Sequence, residues 1–156
     1  METLILGVGN LLLRDEGVGI HVVRALEKEE LPRNVSLLDG GTGGLHLIGW
    51  LQGYTRIIMI DATLDGKPPG TVRLTQPRCV SDFPPLMSAH EIGLRDMIAA
   101  MNLLDALPSI CLIAVSVADI GETGIDLSLE IRAVIPEIIQ LVKNQLLWRQ
   151  FGRLRS

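Results

Sequence analysis

Residues 7–19 read GVGNLLLRDEGVG. The stretch follows the apolar run Leu4-Ile5-Leu6 and precedes Val18, Val22, Ala25 and Leu26 at helical spacing. Strand, glycine loop and helix in that order would suit a nucleotide-binding turn. Gly7 and Gly9 fit the first two positions of G-x-G-x-x-G, but Leu12 takes the third. Asp15 and Glu16 then place two carboxylates where a pyrophosphate needs backbone N–H groups and no competing anion. Such a loop suits a cation or a polar substrate better than a dinucleotide.

Outward from this loop, apolar runs recur at 3–8, 35–39, 55–61 and 110–117. They are short, rich in Ile, Val and Leu, and nearly continuous, as in strands buried on both faces. Helical patterns separate them at 17–29, 44–52 and 89–104, and a last one covers 128–147. Pro136 lies inside the last of these and predicts a kink or a restart. The alternating run 71–76 (TVRLTQ) follows Pro68, Pro69 and Gly70 and reads as an extra strand, antiparallel and near an edge. Strands alternating with helices imply a mostly parallel sheet covered on both sides. The expected architecture is one three-layer α/β/α sandwich with a twisted, mostly parallel sheet and one antiparallel strand. It spans 1–148, with a basic C-terminal tail over 149–156.

The bulk properties narrow the function classes. The chain has 156 residues, 47% of them hydrophobic, enough for one domain with a proper core. Its net charge is −4, and two Trp, one Tyr and two Phe are all its aromatics. With no long Lys/Arg cluster either, nucleic-acid binding has little support. Cys79 and Cys111 form neither a disulfide framework nor a zinc spacing, and Cys111 sits in an apolar run where it packs as a small hydrophobe. No basic leader precedes the first strand, and no apolar run reaches the roughly 18 residues of a membrane span. The expectation is a cytoplasmic monomer with no membrane attachment.

In open α/β sheets, ligands bind beyond the carboxyl ends of the strands. The first strand leads to Asn10, Asp15 and Glu16; the second ends at Asp39 before a glycine-rich loop; the third ends at Asp61. Three acidic groups on one rim would need a cation, a shared proton or a basic partner. His90, at the start of a helical pattern in MSAHEIG, is the best placed of the three histidines. Imidazole with carboxylates suits nickel, zinc or similar ions. Simpler roles stand beside these. Asp15 could complement a helix N-terminus, Asp39 could form a turn before Gly40, and Glu91 could close a capping box with Ser88.

Four of these segments, GVGNLLLRDEGVG, LLDGGTGGLHL, IIMIDA and SAHEIGL, together resemble the hydrogenase maturation endopeptidases. The likeness runs from Leu4 to about Leu104. It implies a protease that removes a C-terminal extension from the large-subunit precursor of a nickel–iron hydrogenase after nickel insertion. It implies that Glu16, Asp61 and His90 hold the metal, and that Asp39 belongs to substrate handling and cleavage in an aspartyl-type endopeptidase. The nickel would be carried by the substrate and would not be a permanent cofactor of the enzyme. Many relatives have Gln where this chain has Glu91, and SVADIGETG departs from a Glu-Pro-containing stretch common among them. The competing readings are a nickel-binding maturation chaperone without peptidase activity, a dinucleotide-binding module and a metal-dependent exopeptidase.

Overall fold

The computed structural model describes residues 2–77, 80–82, 89–105 and 107–151, with backbone alone at 80, 89–94 and 148–151. Its strands are β1 (Thr3–Val8), β2 (Val35–Gly41), β3 (Arg56–Thr63), β4 (Val72–Thr75) and β5 (Ser109–Ser116). Its helices are α1 (Val18–Leu26), α2 (Ile48–Leu51), α3 (Ala89–Leu103) and α4 (Leu129–Phe151). The sheet order is β2-β1-β3-β5-β4. All neighbours are parallel except β4, which runs antiparallel to β5 at the edge. The alternating pattern of 71–76 therefore marks the one antiparallel strand, as its sequence suggests.

Each face of the sheet has its own core. Ile5, Ile58, Ile60 and Ile113 pack against Val18, Val22 and Leu26 of α1 and Ile131, Ile138 and Val142 of α4. On the other face Leu4, Leu6, Met59 and Leu112 meet Leu51 of α2 and Met97, Ile98 and Met101 of α3. Burial on both sides explains the unbroken apolar runs 4–6 of β1 and 57–60 of β3, since every residue of both strands is buried. Cys111 belongs to the α1/α4 core, as its apolar surroundings suggest. Burial raises its thiol pKa, although nearby Arg56 works in the other direction.

Two expectations need correction. The 44–52 pattern forms only a 3₁₀ turn, Leu45–Leu47, and a four-residue α2. Its backbone does not continue because Gln52 turns to extended geometry (φ −63°, ψ 136°). Of the kink or restart expected at Pro136, the restart does not occur, since α4 is one continuous helix. Pro136 and Arg132, whose carbonyl loses its partner to the proline ring, are both exposed, so water can satisfy that group. The helix reaches Phe151, three residues into the expected tail, and 152–156 lie outside the described residues. Among the described residues, no helix is long and apolar enough to cross a membrane.

Candidate active site

The strand order places the site. From β1 the chain passes through α1 to β2 on one side, then through α2 back across β1 to β3 on the other. The connections diverge between β1 and β3, which makes the crevice at their carboxyl ends the topological switch point. The loop after β1 carries Glu16 there, and Asp61 stands near the end of β3.

Close backbone approach builds this crevice. Gly9 has φ +136°, and a Cβ on it would lie 2.0 Å from the Glu16 carbonyl oxygen. Only glycine lets the chain leave β1 and fold back this tightly. A Cβ on Gly7 would likewise meet the Gly19 carbonyl oxygen at 2.3 Å. The glycines of residues 7–19 thus serve strand–loop–helix packing. Leu12, which replaces the third glycine of the nucleotide pattern, is 64% exposed.

Glu16 sits in the 3₁₀ turn Arg14–Gly17 and is only 2% exposed, and Asp61 is 7% exposed. Two carboxylates this deep at a strand-end crevice are costly unless charge or hydrogen bonding compensates them. Asp61 pairs in register with Ala114, which belongs to the α2/α3 core, and its neighbours Ile60 and Ala62 belong to the opposite core. Alternation along the strand therefore turns Asp61 toward the α3 side. His90 lies in the first turn of α3. Its imidazole and the expected Ser88–Glu91 capping box lie outside the described residues, as does Cys79. Among the described residues, no three His, Cys, Asp or Glu side chains form a metal-holding group.

Asp39 faces the other way. It pairs in register with Gly7, as does Ile60 of the α1/α4 core, so it projects on the α1 face. Its Oδ1 accepts a hydrogen bond from the Gly41 N–H at 3.0 Å. That bond closes the turn at the irregularity where the β1–β2 register shifts and Gly41 takes φ +52°. The Oδ2 lies 3.8 Å from Arg24 Nη2 of α1. Both groups border a surface groove of about 570 Å³ whose described walls also include His21 and Lys28. The acids that share a rim in the sequence thus occupy two faces of the sheet. Asp39 does form the turn that its place before Gly40 suggests, and its second oxygen lies toward Arg24, which lines the same groove.

Asp15 has a helix-terminal role, but at a distant helix. Its Oδ1 accepts the Ser128 N–H at 2.7 Å, immediately before α4. The adjacent Arg14 forms an ion pair with Glu122 (Nη1–Oε1, 2.6 Å) and donates from Nε to the Asp126 carbonyl at 3.2 Å. Spacing alone gave no signal for these contacts, because their partners lie more than a hundred residues away.

A family model described as hydrogenase maturation protease matches residues 20–145. The chain belongs to the hydrogenase maturation protease family. It is 36% identical over 141 residues to the hydrogenase expression/formation protein HupD of Rhizobium leguminosarum bv. viciae, covering 88% of this chain and 70% of that protein. With the hydrogenase 2 maturation protease of Escherichia coli K12 it shares 34% identity over 145 residues, covering 91% and 88%. Among solved structures, the E. coli hydrogenase maturating endopeptidase HybD superposes with a TM-score of 0.87 at 33% identity, covering 94% of this chain and 92% of that one. The family chemistry is peptide hydrolysis, so the chain is a peptide hydrolase of the maturation type. A dinucleotide-binding module and a chaperone without peptidase activity give way to that assignment.

Proposed function

We propose that this protease removes the C-terminal extension of the nickel-loaded large-subunit precursor of a nickel–iron hydrogenase, recognising the substrate's nickel through Glu16, Asp61 and His90. The observation that carries this reading is the pair of buried carboxylates, Glu16 and Asp61, at the β1–β3 switch point, with α3 beginning at His90's turn on the face toward which Asp61 projects. Two carboxylates and one imidazole make an open ligand set that leaves coordination positions for groups brought by the precursor. Selectivity would then come from a metal shared between enzyme and substrate, without a long recognition cleft.

Asp39 is proposed as the carboxylate that handles and cleaves the peptide from the α1 side of the rim. Asp39 and Arg24, paired through Oδ2, both line the groove along α1, where an extended segment would lie. Substrate nickel and the cleaving carboxylate would accordingly meet the precursor from the two faces of the sheet's rim.

The deciding experiment mixes the purified protein with nickel-loaded and nickel-free precursor and follows both by intact mass. Shortening of the loaded precursor alone is the expected result. Rapid cutting of the nickel-free precursor, or stoichiometric zinc in the purified enzyme, would defeat the proposal that substrate nickel is the recognition signal.

A further inference from the structure

We infer that Asp15 is a positioning residue for the reaction, holding the Glu16 turn in place by anchoring it to the N-terminus of α4. The inference rests on the reading of Glu16 as part of the site. Asp15 is 8% exposed, and its Oδ1 receives the Ser128 N–H at 2.7 Å. Ser128 is the N-cap of α4, since its carbonyl accepts the Arg132 N–H at 2.9 Å. A carboxylate at that end also meets the positive pole of a long helix. The hydrogen bond therefore ties the residue directly before Glu16 to a helix that begins more than a hundred residues later.

A second set of contacts fixes the same turn from its other side. Leu12 O accepts the Gly124 N–H at 2.8 Å, and the Arg14 N–H donates to Gly124 O at 2.8 Å. These two bonds make a parallel bridge between Leu13 and Gly124. Arg14 is thereby held at φ +48°, a conformation that non-glycine residues seldom adopt without outside support. The Arg14–Glu122 ion pair closes over the bridge. Without the Asp15 bond, the turn keeps its bridge to Gly124 and its ion pair with Glu122 but loses its tie to the start of α4. Glu16 directly follows the lost anchor, and a displacement of about 1 Å at a reacting site can cost on the order of a hundredfold in rate.

The test compares Asp15→Ala with Asp15→Asn in processing of nickel-loaded precursor and in hydrogen exchange of the amides of residues 11–17. The amide oxygen of Asn still accepts the Ser128 N–H, so positioning predicts recovery to within about threefold of the parent rate. Asp15→Ala should lower kcat on the order of tenfold to a hundredfold. It should also speed exchange in 11–17 while leaving the far half of α4 protected. If Asp15→Ala fails to fold, Asp15→Ser, whose hydroxyl is too short to make the bond, takes its place. Three outcomes would overturn the inference: equal loss in Asn and Ala, parent-like processing in Ala, or lost processing with unchanged exchange in 11–17. Glu16→Gln serves as the separate control. Full processing by that variant would remove the site reading itself, whatever the Asp15 variants do.

Discussion

Gly19 of α1 lies so close to the end of β3 that a Cβ there would sit 2.2 Å from the carbonyl oxygen of Ile60. This contact seats the start of α1 against the strand that carries Asp61. The turn bearing Glu16 immediately precedes α1, so the same contact sets the depth of Glu16 at the crevice.

Gly19→Ala is accordingly expected to destabilise the fold by about 1–3 kcal/mol, the usual range for forcing extra volume into a packed interior. Gly49, in α2, is the matched control because nothing lies within 4 Å of a Cβ built there. Gly49→Ala should be neutral or should stabilise by up to about 1 kcal/mol, since alanine favours helix over glycine. Urea titrations of both variants check the contrast.

That packing shows what the sequence made legible and where it stopped. The apolar run 3–8 became β1 at the same residues because a strand buried on both faces leaves no freedom in its pattern. The edge position of β4 could be read from alternation after a Pro-Pro-Gly turn. The rim carrying Glu16, Asp39 and Asp61 was also visible, because each acid interrupts or follows an apolar run near a strand's carboxyl end. β2 and β3 nevertheless run two residues past Asp39 and Asp61 and do not end at them. The face each acid occupies was not, for it depends on register between strands that are far apart in the chain. Asp39 and Asp61 differ in face only because Gly7 pairs with Asp39 on one side and with Ile60 on the other. The Asp15–Ser128 bond was equally hidden, since no local pattern announces a partner brought in by the last helix.

At the far end of the sheet, Arg56 is 5% exposed and donates to Gln145 twice, to its carbonyl at 2.7 Å and its Oε1 at 3.0 Å. These bonds fasten α4 to the amino-terminal end of β3, opposite the crevice. Arg56→Ala should cost about 1.5–3 kcal/mol, the range for hydrogen bonds to charged groups. Processing per folded molecule should stay unchanged, because the loss lies remote from the rim. Chemical denaturation together with activity normalised to folded protein checks both halves.

Acid sensitivity should trace partly to Asp65. Burial alone would raise its pKa. The Lys67 N–H, the Ser116 hydroxyl and the Arg73 guanidinium together outweigh burial and hold it below the ordinary 3.8. The Arg73 contact is 2.7 Å and the Ser116 contact 3.1 Å. A lowered native pKa means that the unfolded chain binds more protons in this range, so stability rises with pH there. The contribution is fully present above about pH 4 and fades as pH falls through the native value. Asp65→Asn should therefore be less stable than the parent at neutral pH, and the two should converge below that window. Thermal melting between pH 2 and 7 measures the convergence, and a constant difference across the range would contradict it.

The two faces of the rim predict that binding and cleavage come apart under mutation. Glu16→Gln, Asp61→Asn and His90→Ala should each remain folded by circular dichroism. Each should lose both capture of nickel-loaded precursor and its shortening, because the reading gives these side chains to the metal. Asp39→Asn is the contrasting case. Its amide oxygen can still accept the Gly41 N–H that closes the turn, so the edge of β2 should keep its shape. Only the charge facing Arg24 and the groove disappears. If Asp39 acts on the peptide and not on the metal, Asp39→Asn should capture loaded precursor with near-parent affinity yet fail to shorten it. Surface-immobilised precursor reports capture, and intact mass reports cleavage. Parent-like shortening by Asp39→Asn would leave the carboxylate as a turn-former only. Loss of capture with an intact fold would instead move it into the metal-recognition set.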